Sequence, residues 1–127
     1  MGYSLSKTTS LNYDPAVGKV TEELKEEGFG VLTTIDVKET LKKKINVDFN
    51  RYIILGACNP PFANQALQAD PEIGLLLPCN VIVYEQEGAT HVPALDPTAA
   101  LSLTDRQGVE AIAGEVQARL ERVIARM

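Results

Sequence analysis

The sequence offers one histidine, two cysteines, and no apolar run near the length of a membrane span. Each shortage closes off a class of function. A structural zinc site takes four ligands, and Cys58, Cys79 and His91 make three at best. Twenty residues separate the thiols, so they are no Cys-x-x-Cys redox pair. A bilayer-spanning helix needs about 20 apolar residues, and the N-terminus lacks a basic stretch followed by an apolar one. We therefore expect a cytoplasmic protein whose thiols stay reduced. Basic charge is also short: 12 Lys and Arg stand against 17 Asp and Glu, a net charge of -5. A nucleic-acid binder must neutralise phosphates with clustered cations. The one basic cluster, Lys42-Lys43-Lys44, is offset by Asp36, Glu39 and Asp48 and reads as a solvated helix face. Neither nucleic acid nor a membrane is expected as a partner. There is no Ser-His-Asp pattern, phosphate-cradling glycine loop or metalloprotease helix. No catalytic residue can be named from the sequence, and nothing in it calls for a cofactor or metal.

What is present is enough to build a core. At 127 residues and 45% hydrophobic, the chain is read as a single domain over residues 1–127. Residues 3–9 alternate as a first strand, with Tyr3, Leu5, Lys7 and Thr9 on one side. Asp14-Pro15 opens a helix carrying Val17, Val20 and Leu24 inward, and Gly28 is placed to end it with a left-handed cap. A second strand runs from Phe29 to Val37, with Phe29, Val31, Thr33, Ile35 and Val37 sharing a face. A short helix over residues 38–46 turns Leu41 and Ile45 inward, and Arg51 to Ala57 is a third strand. Asn59-Pro60 opens another helix, and Asp70-Pro71 a turn. The longest strand runs from Leu75 to Glu85, with Pro78 marking a bulge, an edge or a strand start. Glu87-Gly88 makes a hairpin tip, Thr90 to Leu95 returns, and Asp96-Pro97 is a further turn. Thr104 and Gln107 form a capping box for a last helix with apolar residues at Val109, Ile112, Ala113, Val116, Leu120, Val123 and Ile124. This order predicts an α+β fold: a mostly antiparallel sheet with two long helices packed on one face, β-α-β-(α)-β-(α)-β-β-α.

In the third and fourth strands, polar residues do not alternate with apolar ones. Tyr52, Ile54 and Cys58 point one way and Ile53, Leu55 and Ala57 the other; Leu75, Leu77, Val81 and Val83 oppose Leu76, Ile82 and Tyr84. Near-continuous apolar strands belong to sheets covered on both faces, and the helices can cover one. Leaving five or six such side chains wet would forfeit on the order of 10 kcal/mol. A second copy of the chain is the expected cover, giving a homodimer joined through the sheet. The alternative is that the middle helices wrap round.

Both cysteines fall at strand ends, in Cys58-Asn59-Pro60 and Pro78-Cys79-Asn80. Cys58 precedes a helix N-terminus, where the dipole favours a thiolate. The hairpin places His91 opposite Tyr84, roughly 17 Å from Cys79 at the strand rise, and so away from both thiols. The same register puts Asp96 opposite Cys79, where a carboxylate would disfavour the thiolate. Small buried hydrophobes are the plain alternative for both cysteines. The candidate ligand or thiol site is Cys58, Asn59, Pro60, Phe62, Cys79, Asn80 and Asp96. Three functions compete: a homodimeric protein binding a small molecule or partner there; a redox, sulfur-handling or metal-binding thiol protein; and a purely structural assembly domain.

Beside this, Gly28-Phe29-Gly30, Leu55-Gly56-Ala57-Cys58-Asn59-Pro60, Gly74-Leu75-Leu76-Leu77-Pro78-Cys79-Asn80-Val81, Val83-Tyr84-Glu85 and the Asp96-Pro97 turn resemble the family catalogued as domain of unknown function 302. The resemblance runs from about Tyr13 to Leu120. It implies a small α+β fold like that of the TATA-box-binding protein and brings no reaction with it. DNA binding does not follow from the fold, because function lives in the site.

Overall fold

The computed structural model describes residues 2–104 and 107–127. Seven short strands form one sheet, β1 (Ser4–Leu5), β2 (Thr8–Thr9), β3 (Gly30–Asp36), β4 (Tyr52–Cys58), β5 (Cys79–Gln86), β6 (Ala89–His91) and β7 (Ala94–Leu95). The main order is β1-β7-β5-β4-β3, with β6 bridging β5 to β2, and every pairing is antiparallel. The helices are α1 (Tyr13–Glu26), α2 (Val37–Ile45), α3 (Pro60–Ala69), α4 (Pro97–Leu101) and α5 (Val109–Ala125), with a 3-10 helix over Pro71–Leu76. The expected α+β fold is the one observed. Among the described residues no helix is long and apolar enough to cross a membrane.

The two long helices, α1 and α5, supply the cover for one face. Val20 and Leu24 of α1 and Leu120 and Val123 of α5 are fully buried with Leu55, Ala57, Val81 and Val83 of the sheet. Gly28, at φ +87, ends α1 as expected. Its N–H bonds the Lys25 carbonyl and that of Phe29 bonds the Leu24 carbonyl, the paired bonds of a Schellman cap. At the hairpin tip Glu87 and Gly88 both take positive φ, which the twist of a two-residue loop requires.

Local chemistry explains where the structure departs from the pattern. A register shift between Val31 and Thr33 breaks β3. Val31 then packs with the core, whereas Thr33 and Ile35 pair with Gly56 and Ile54 on the opposite face. The expected shared face from Phe29 to Val37 is therefore split by a bulge. Helix α2 buries none of its residues, and Ile45 is 63% exposed rather than turned inward. Leu75 is not in a strand: Asp70 and Pro71 start a 3-10 turn through Leu76, with the Asp70 carboxylate accepting from the Glu72 N–H at 3.1 Å. Pro78 stands immediately before β5, a strand start, with a cis Leu77–Pro78 bond. Asp96-Pro97 opens a short helix instead of a turn alone, Asp96 accepting from the Thr98 N–H at 2.9 Å. The last helix starts at Val109 after Gly108, later than the Thr104 box predicts. Asp105 and Arg106 lie outside the described residues, and the Thr104 hydroxyl donates to Asp70 at 2.9 Å.

Candidate functional site

Strand pairing puts the two cysteines at adjoining strand ends. Cys79 opposes Ala57, the residue before Cys58, and Cys58 itself opposes Gly30 on the other side. Both line one cavity of about 30 Å³, walled by Ala57, Asn59, Phe62, Ala66, Leu77 and Pro78 and closed by Ile112 and Val116 of α5. That volume accommodates one water-sized particle. Neither cysteine is joined in a disulfide in this structure. Burial pushes the Cys79 thiol up to about 11, with the neighbouring Cys58 adding to the shift. Burial also raises Cys58, the shallower of the two. Neither is poised as a nucleophile at neutral pH, since the thiolate is the reactive form.

Asn59 is 7% exposed and works structurally. Its side-chain amide donates to the Glu27 carbonyl at 3.2 Å and leaves its own helix uncapped. Arg119 of α5 donates to the same carbonyl at 3.0 Å, and its guanidinium lies 5.2 Å from the Phe62 ring centre. The Glu27 carboxylate accepts from Arg122 and Arg126, both at 2.9 Å. The Arg122 hydrogen bond leads the causes that hold its pKa below the ordinary value. This junction ties the end of α1, the start of α3 and the face of α5 together beside the thiols.

The remaining candidates lie elsewhere. Pro60 is exposed at the first position of α3 and does not line the cavity. Asn80 opens onto the opposite face of the sheet, in a hollow shared with Tyr3, Ser4, Ile82 and Leu95. Asp96 caps α4 and accepts from Gln117 of α5 at 3.1 Å; burial and Cys58, not Asp96, account for the Cys79 shift. His91 does pair with Tyr84. Sequence reasoning missed the far wall, Ile112 and Val116. The apolar spacing of α5 was the available signal, but it marked a core stripe and not what that stripe faces.

The opposite face of the sheet is the second notable surface. The register assigns to it Thr33 and Ile35 of β3, Tyr52, Ile54 and Gly56 of β4, Asn80, Ile82 and Tyr84 of β5, with His91, Leu95, Ser4 and Thr8 from the remaining strands. An aromatic row crosses it: Phe49 to Tyr52 at 6.0 Å, Tyr52 stacked on Tyr84 at 5.4 Å, and Tyr84 stacked on His91 at 5.0 Å. The His91 Nδ1 lies 3.0 Å from the Thr8 hydroxyl. Among these residues there is no Asp, Glu, Lys or Arg. Ile35 is 48% exposed, and Ile54, Ile82 and Tyr84 are half-buried.

A curled antiparallel sheet backed by helices, with a cavity lined by two cysteines at two strand ends, defines a small α+β protein. A family model described as domain of unknown function DUF302 matches residues 5–127, and the chain belongs to that family. It is similar in structure to a crystal structure of an uncharacterized conserved DUF302 protein from Bacillus stearothermophilus. The TM-score is 0.90 at 31% sequence identity, over 97% of this chain and 96% of that one. No curated protein matches the sequence.

Proposed function

We propose that the protein is a cytoplasmic homodimeric binding protein, two copies meeting through the uncharged sheet face, with the strand ends at Cys58 and Cys79 receiving a small ligand. The observation that carries the dimer is the aromatic row on a charge-free face that the long helices leave bare. Interface centres are depleted of charge and enriched in Tyr and Phe, and a two-fold contact needs a surface that suits itself. Five strand widths by about seven residues project on the order of 500 Å². Side-chain relief brings this toward the ~800 Å² per partner of a stable complex. Phe49, at one end of the aromatic row, is itself exposed.

Sedimentation velocity at micromolar concentration tests this. The wild type should sediment as a dimer, and Ile82→Lys should sediment as a folded monomer. A monomeric wild type sinks the reading.

Thiol chemistry at Cys58 is the second reading, favoured by two cysteines lining one cavity and opposed by the upward shift of both thiols. Timed alkylation of the native protein at neutral pH separates the two. Binding without thiol catalysis predicts slow modification, Cys58 before Cys79, whereas modification of Cys58 faster than a free thiol would establish the enzyme reading.

A further inference from the structure

The aromatic row ends on the chain's single histidine. We propose that protonation of His91 parts the two copies, so that the dimer holds at neutral and alkaline pH and comes apart in mild acid. This deepens the dimer reading and rests on it. Histidine is the side chain whose ordinary change of charge falls between about pH 5 and 8. The register sets His91 opposite Tyr84 on one side and Thr8 on the other, on the bare face of the sheet.

The groups that face it carry no charge in that range. From β5 comes Tyr84, stacked at 5.0 Å, with Tyr52 of β4 stacked behind it; phenols titrate near pH 10. From β2 comes Thr8, its hydroxyl 3.0 Å from Nδ1. Toward the hairpin tip the next pair on this face is Gln86 and Ala89. The charges nearest in sequence are placed elsewhere. Glu85 pairs with the buried Thr90 on the helix-covered side, the Lys7 ammonium donates to the Ala125 carbonyl, and Glu87 occupies the turn.

Two-fold symmetry carries this local fact over to the dimer. When identical faces meet, whatever touches His91 is drawn from the same set of side chains, and that set holds no carboxylate to pair with an imidazolium. Uncharged, the ring is one more stacked surface. Charged, it must give up water without gaining a counter-ion, which association penalises. A separate copy bears the charge easily. The Thr8 hydroxyl donates to a bare Nδ1 or accepts from a protonated one, and the face of the Tyr84 ring attracts a cation. The proton therefore binds the separate copy better than the dimer, which is the condition for shifting the equilibrium. Each dimer that forms in acid sheds two protons, so the dissociation constant should rise by up to about 100-fold per pH unit of acidification.

Sedimentation velocity over a concentration series, at about pH 8 and about pH 5.5, tests this above the range of ordinary carboxylate titration. The wild type should be a dimer at the higher pH and dissociate at least ~10-fold more readily at the lower one, with an unchanged circular dichroism spectrum. His91→Gln should hold one dissociation constant across the range, whatever its size. Should that variant not associate measurably, His91→Phe, which keeps a ring in the row, takes its place. A wild-type dimer equally tight at both pH values, an acid weakening that persists in the variants, or dissociation accompanied by loss of the dichroism signal overturns the switch and leaves the interface standing. A wild type already monomeric at the higher pH overturns the interface and the switch with it.

Discussion

Leu55 and Ile54 are neighbours on one strand, similar in size and apolarity, and they meet opposite environments. Leu55 is 3% exposed among α1, α5 and the strands beside it, while Ile54 sits half-buried on the bare face. The same contrast repeats at Val81 and Ile82, and at Val83 and Tyr84. In these pairs the residues on both faces are large and apolar, and what differs is shape and company. The helix-covered face carries aliphatic residues and Ala57, Ala94 and Cys79, over which helices pack closely. The bare face carries a row of rings. Rings keep large area at low conformational cost and suit a surface that meets a separate body. One sheet thus shows one face built to fold and another built to associate.

The contrast makes unequal demands on mutation, and the largest effects should come from the covered face. Leu55→Ala should cost about 2–5 kcal/mol in chemical denaturation, as for other fully buried leucines. Ile54→Ala should cost under about 1 kcal/mol once the protein is diluted below its association constant. Equal losses at the two positions would erase the distinction between the faces.

Gly56 gives an intermediate test from the bare side. A Cβ there would lie 2.1 Å from the Thr33 hydroxyl and 2.9 Å from a Pro78 ring carbon. Gly56→Ala should therefore cost about 1–3 kcal/mol by overpacking, measured by urea unfolding. A smaller loss would mean that this face yields more easily than its geometry indicates.

Glu27 sharpens the covered side by its pH dependence. Its folded pKa is depressed below the ordinary value of 4.5, first by the Arg122 hydrogen bond. Its contribution is present above the unfolded pKa and disappears as pH falls through the folded one. Glu27→Gln should lower Tm at pH 7, and the gap to wild type should close as pH falls below 4.5 and through the folded pKa. A gap that stays constant into acid would show that the ion pairs contribute nothing. The smallest effect belongs to the aromatic row. Thr8→Ala removes the hydroxyl beside His91 and should cost about 0.5–1 kcal/mol of stability, read as a small Tm shift.

How far the fold was legible follows the same physical divide. Signals that act within a few residues held: Gly28 ending α1, Glu87-Gly88 turning the hairpin, and Asn59-Pro60 opening α3. Alternation failed where one inserted residue reset it, at the Val31/Thr33 bulge, because a bulge leaves no mark in an apolar-polar pattern. It failed again at Leu75. An apolar run of strand length read as strand, while Asp70-Pro71 had already committed the chain to a tight helical turn, leaving Leu75 85% exposed. For the candidate site, local sequence pointed to Cys58, Asn59, Phe62 and Cys79, which the fold gathers around one cavity. It grouped Asn80 with Cys79, although adjacent strand residues face opposite sides. It grouped Asp96 there by register, although helix capping claimed that carboxylate. The closing wall from α5 required knowledge of how the helix docks, which spacing within the helix does not contain.

The Glu27 carbonyl receives Asn59 from one direction and Arg119 from another, and the same residue's carboxylate grips Arg122 and Arg126. Asn59 is bonded in sequence to Cys58. A load applied at that sulfur has a short rigid linkage, one peptide and one hydrogen bond, to the seam between the two long helices. The strand end and the helical layer are in this respect a single mechanical part, so that tension at the thiols registers along the back of the molecule.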